Sequence, residues 1–92
     1  MHAYVACFDI SDDTIRNHVG RLLARYGSRV QRSVFEVSFR LPSELQQLRA
    51  ELRELVEAGD DVRFYAMCRV CRGSSHALDE SSVARFPAGV VI

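Results

Sequence analysis

The stretch Ala3-Tyr-Val-Ala-Cys-Phe-Asp-Ile10 is apolar on both alternating faces until it reaches Asp9. A strand of that kind must be covered on both sides, so it belongs at the centre of a sheet rather than at its edge. With only 92 residues to build around it, the chain has room for one small core and one domain. Area scaling gives burial of roughly 64% of the unfolded surface, which is marginal for a protomer standing alone.

The elements that follow have readable periods. Ser11-Asp12-Asp13 offers an N-cap and first-turn acids to a helix in which Ile15, Val19, Leu22, Leu23 and Tyr26 recur at helical spacing. Gly27 is placed to end it. A short strand at Arg29 to Gln31 then turns around Arg32-Ser33. In the next strand Phe35, Val37, Phe39 and Leu41 alternate with Glu36, Ser38 and Arg40, the pattern of a half-buried antiparallel strand. Leu41-Pro42-Ser43-Glu44 reads as a helix start. Leu45, Leu48, Leu52, Leu55 and Val56 form its stripe, and Gly59 is the expected stop. Asp60-Asp61 leads into a strand over Val62 to Cys68. The order β-α-β-β-α-β predicts an α+β, ferredoxin-like fold with two helices on one face of an antiparallel four-stranded sheet. The helix-free face carries Val5 and Cys7, and a second copy of the chain is its simplest cover. Arg72 to Ser82 reads as a polar loop. Ala88 to Ile92 is expected to add a short terminal strand.

Composition narrows the class further. The 48% hydrophobic and 26% charged fractions are those of a globular domain, and 12 basic residues balance 12 acidic ones. Every basic residue is Arg, whose planar fork suits phosphate. The acids concentrate in residues 42–61 and the arginines elsewhere, so a basic face is possible on a neutral molecule. Three cysteines and no secretory segment point to a reducing cytoplasm, and no apolar run is long enough for a membrane span.

Asp9 has two readings. It caps the first helix, or it is a Mg²⁺ ligand, since that cation takes one or two carboxylates with water and phosphate. Two Asp9 side chains meeting across a two-fold axis would make the fuller site. Cys68, Cys71 and His76 supply three zinc ligands at most where a structural site needs four, so strand-end packing and a plain loop are the preferred account. His18 reads as a solvated helix residue. Tyr4, Phe8, Phe35, Phe39 and Phe64 read as core.

Tyr4-Val-Ala-Cys-Phe-Asp-Ile-Ser-Asp-Asp13, Arg16-Asn17, Tyr26-Gly27, Arg29-Val-Gln-Arg-Ser-Val-Phe-Glu36 and Asp60-Asp61-Val-Arg-Phe-Tyr65 together resemble the CRISPR-associated endoribonuclease family. This family is the small second subunit of the spacer-acquisition machinery. The resemblance covers about residues 3–72 of a single 1–92 domain, with the loop and strand of 73–92 beyond it. It implies a sheet-to-sheet homodimer and Mg²⁺-dependent hydrolysis of phosphodiesters in single-stranded RNA or double-stranded DNA. It also implies a complex with the CRISPR integrase and contact with prespacer DNA. Asp9 matches the family's metal-binding aspartate. Arg16, Arg29 and Phe35 match positions of the family's active site, and Arg16, Arg29 and Arg32 are the expected nucleic-acid contacts. Gln31 and Ser33 belong to the same motif. His18 and Arg32 depart from the family pattern, which often has Arg and an aromatic there. A non-catalytic scaffold that bridges integrase dimers is the alternative role.

Overall fold

A computed structural model describes residues 1–84; the expected strand at Ala88 to Ile92 lies outside the described residues. The elements are β1 (His2–Asp9), α1 (Asp13–Ala24), β2 (Gly27–Gln31), β3 (Val34–Phe39), α2 (Pro42–Leu55), β4 (Asp61–Met67) and α3 (Arg69–Gly73). The sheet order is β2-β3-β1-β4 and every pairing is antiparallel. Doubly apolar β1 is therefore central, hydrogen-bonded to β3 on one edge and β4 on the other. This is the α+β, ferredoxin-like arrangement.

The core forms where the helices lie on the sheet. Ala6, Phe8 and Ile10 from the β1 end of the sheet meet Phe35, Val37 and Phe39 of β3. Val19, Leu22 and Leu23 of α1 and Leu48 and Leu52 of α2 close over them. Each large side chain so buried contributes about 1.5–3 kcal/mol. The helix starts are fixed locally. Asp12 caps α1 by accepting from the Ile15 amide at 2.9 Å. Glu44 turns back on α2 to accept from the Arg40 and Leu41 amides at 2.8 and 2.9 Å, satisfying donors that the first turn leaves orphaned.

The helix ends differ from the sequence expectation. Helix α1 stops at Ala24, with Arg25 as its C-cap, and Tyr26 leaves the helix to pack its ring 4.9 Å from that of Phe39. Gly27 is not the cap; it opens β2 against β3. A Cβ on Gly27 would lie 1.8 Å from the Glu36 carbonyl oxygen, so only glycine allows the two strands this approach. Helix α2 likewise ends at Leu55, before Gly59, whose φ of +92° serves the turn that leads into β4. The segment after Met67, expected to be strand end and loop, holds the one-turn helix α3 instead.

On the helix-free face the chain's own later segment returns to the sheet. The Ala84 amide donates to both carboxylate oxygens of Glu36 at 3.1 Å, and Ala84 is buried there. No helix among the described residues is long and apolar enough to cross a membrane.

Gly27→Ala should destabilise the fold by about 2 kcal/mol or more, because backbone rather than a movable side chain occupies the space. Urea denaturation measures this, and a loss below about 0.5 kcal/mol would contradict the tight β2–β3 approach.

Candidate functional site

Antiparallel pairing brings the last residue of β1 opposite the first of β4, so Asp9 stands directly across from Asp61. Directly opposed residues share a face and lie about 4.5–5.5 Å apart at Cβ. Both carboxylates project on the helix-free side, in line with the Cys7–Arg63 and Val5–Tyr65 pairs. They line a shallow cavity of about 250 Å³ with Cys7, Arg63 and Tyr65. Arg63 is the cation of this pocket. Its Nε donates to Asp61 Oδ2 at 2.8 Å and its Nη1 to the Tyr65 hydroxyl at 3.3 Å. The hydrogen bonds it donates to Tyr65 and Asp61 push its pKa further above its ordinary value, so the charge is permanent. Arg63 engages one of the two Asp61 oxygens, and Asp9 stands exposed across from it.

Asp9 does not cap α1, since Asp12 holds that position. Asp61 is the residue that sequence reading missed, because it precedes β4 by composition and looks like part of a loop. The signal was present in the topology: the end of β1 and the start of β4 must meet in an antiparallel pair.

Arg16 braces the same end of the sheet. Its Nη1 donates to the Ile10 carbonyl at 2.8 Å and its Nη2 bonds the Asp13 carboxylate, which fastens the loop between β1 and α1. Its side chain retains 21% exposure. The Arg32-Ser33 turn lies at this end too, because the Phe8 amide donates to the Ser33 carbonyl at 3.1 Å. Arg32 and Gln31 are exposed, and so is His18 on α1.

Arg29 is set by a different contact. Its guanidinium carbon lies 5.1 Å from the centroid of the Phe35 ring, a cation–π distance. Phe35 itself is 1% exposed and stacks on Phe8 at 6.2 Å. It therefore meets Arg29 from within the core. Gly20 of α1 completes the clamp, since a Cβ there would be 2.7 Å from Arg29 Nη2.

The zinc-type cysteines are at the other end of β4. Cys68 and Cys71 have sulfur atoms 3.1 Å apart, while the His76 ring faces the Ser74 carbonyl at 3.3 Å. Among the described residues no three His, Cys, Asp or Glu side chains converge as a metal cluster.

Residues 1–74 match the model of a protein family described as CRISPR associated protein Cas2. The chain belongs to the Cas2 family. It is 44% identical over 71 residues to CRISPR-associated endoribonuclease Cas2 1 of Chloroflexus aurantiacus, covering 75% of each chain. It is 36% identical over 93 aligned positions to an endoribonuclease Cas2 of Synechocystis, covering 100% of both. Among solved structures it is similar to a chain of a partial Cas6-RT-Cas1–Cas2 complex, with a TM-score of 0.82 and 36% identity over the whole of both chains. The Streptococcus pyogenes Cas2 structure is similar at a TM-score of 0.74 and 27% identity, covering 83% of this chain and 98% of that one. The family match ends at the short helix α3, so Asp9, Asp61 and all the arginines described above fall inside it.

Gly20→Ala tests the Arg29 clamp. A mid-helix alanine favours α1 by about 1 kcal/mol over glycine, yet its methyl displaces the flexible guanidinium. The variant should unfold at an equal or higher temperature, while the Arg29 side-chain protons lose their upfield ring shift in the NMR spectrum. An unshifted Arg29 spectrum would contradict the clamp.

Proposed function

We propose that this chain is a CRISPR-adaptation subunit with metal-dependent phosphodiesterase activity, acting beside an integrase of the kind present in the Cas1–Cas2 assembly it resembles. The observation that carries the reading is the Asp9–Asp61 pair at one end of the sheet, bordered by arginines. Relatives named endoribonuclease and, in Thermus thermophilus, endonuclease support nuclease chemistry.

The donor set fits Mg²⁺. Two exposed carboxylates offer hard oxygens and leave open positions for water and a substrate phosphate, which is how that cation is commonly held. Asp9 would be the principal ligand and the free oxygen of Asp61 the second. When bound, Mg²⁺ supplies Lewis-acid activation of water and offsets charge on phosphate oxygens. Arg16 keeps the β1–α1 loop, and with it Asp9, in place. Arg29, held over Phe35, and exposed Arg32 are the residues suited to grip the phosphate backbone without reading sequence. A homodimer through the helix-free face would cover Val5, Met67 and the half-exposed ring of Tyr65, which is 51% exposed in the protomer. It would also bring two such carboxylate pairs toward one axis.

The scaffold role has its own support. Among the described residues two carboxylates stand at the site, and one is tied to Arg63, so metal would be lightly held. Surface arginines alone suffice for sequence-neutral duplex binding.

Asp9→Asn and Asp61→Asn separate the two readings. Each removes a charged ligand while keeping its shape, so a nuclease should lose Mg²⁺-dependent cleavage, by about 100-fold or more for Asp9 and less for Asp61. Light scattering should still give twice the 10.4 kDa protomer mass. A scaffold would show no metal-dependent cleavage in the wild type, and unchanged duplex binding in both variants. Cleavage that survives intact in Asp9→Asn would place the chemistry elsewhere.

A further inference from the structure

The chain leaves β4 at Met67, passes through Cys68 in extended conformation and winds into α3, with φ −76° and ψ 168° at the junction. That bend brings Cys68 and Cys71 together across Arg69 and Val70, their sulfur atoms 3.1 Å apart. Both residues are exposed, unlike most thiols that serve only to pack. An S–S bond is about 2.05 Å long, so roughly one ångström of approach separates this dithiol from a disulfide.

The two thiols are not equivalent. The Cys71 amide donates to Cys68 Sγ at 3.3 Å, beside the 3.1 Å contact between the two sulfur atoms. Hydrogen bonds from the Cys71 amide and side chain favour the Cys68 thiolate and lower its pKa from the ordinary value. The same contact, together with the charge on Cys68, raises the pKa of Cys71. One sulfur is thus prepared to attack and its neighbour to resolve.

We propose that Cys68 and Cys71 are a redox-active dithiol that exchanges with small-molecule disulfides. The Cys68 thiolate attacks one sulfur of a disulfide RSSR, forming a mixed disulfide and expelling RS⁻, which takes up a proton. Cys71 then gives its proton to solvent and attacks Cys68 Sγ, expelling the second RS⁻, which is protonated in turn. Two electrons pass from the protein to the small molecule. The products are the Cys68–Cys71 disulfide and two RSH. Cys68 follows β4 and stands seven residues beyond Asp61, about 23 Å of extended chain, so the dithiol is independent of the proposed nuclease site.

Oxidised glutathione is the probe and the intact mass of the whole chain is the readout. In a Cys7→Ser background the only thiols left are Cys68 and Cys71. This protein should become lighter by two hydrogens at pH 7, and dithiothreitol should reverse the change. Adding Cys71→Ser should trap a single glutathione adduct on Cys68. Adding Cys68→Ser instead should slow adduct formation severalfold, because the Cys71 amide that favours a thiolate bonds to Cys68 Sγ, which this variant lacks. Three results would overturn the proposal: a dithiol that persists in excess oxidised glutathione, equal trapping rates in the two single-thiol proteins, or oxidation only to a disulfide-linked dimer. The reversible mass change in Cys7→Ser does not depend on either further substitution.

Discussion

The two ladders that hold β1 between β3 and β4 are the constraint from which the other features follow. Because β1 is bonded on both edges, a one-residue slip would break both ladders and turn Phe8 and Ile10 out of the core. The register is thus locked by apolar burial and hydrogen bonding together. The consequence for chemistry is that Asp9 cannot choose its neighbour. Packing on the helix side of the sheet sets it opposite Asp61 on the other side.

The arginines reach their places by different physical routes. Arg16 completes the loop that Asp9 leads into, exchanging water for the Ile10 carbonyl and the Asp13 carboxylate. Arg63 balances the acidic pair from within the cavity. Arg29 sits over an aromatic ring where α1 has no side chain to obstruct it. A buried phenylalanine and a helical glycine thus orient one surface guanidinium, although neither can touch a ligand itself. In a chain without lysine, rigid planar cations of this kind give a surface that can hold phosphate with little loss of side-chain freedom.

Much of the fold was legible because burial writes itself into period. The alternation at Phe35, Val37 and Phe39 and the stripe through Leu48 and Leu52 gave their elements directly, and the Arg32-Ser33 turn stands where the sequence suggested. The glycines misled. Gly27 and Gly59 look like helix stops, but one is needed for strand approach and the other for a turn, and neither demand is visible without the partner strand or the φ angle. Helix α3 spans a single turn, too short to display periodicity. Asp9 was conspicuous as a charge ending an apolar strand. Asp61 was not, since its meaning arises only from a pairing between residues far apart in the chain. The apolar face expected to await a second copy is met in part by Ala84, through a contact to Glu36 that no local pattern encodes.

The proposed divalent-cation site draws on β1 and β4 together, through Asp9 and Asp61. Manganese is the direct probe, since it accepts the same oxygen ligands and broadens the NMR signals of nearby nuclei. Titrating Mn²⁺ into the wild-type protein should broaden Asp9 and Asp61 first, with Cys7 and Val62 following, and excess Mg²⁺ should restore them. Broadening centred on Glu54 and Glu57, at and just beyond the end of α2, with Asp9 and Asp61 unaffected, would contradict the account.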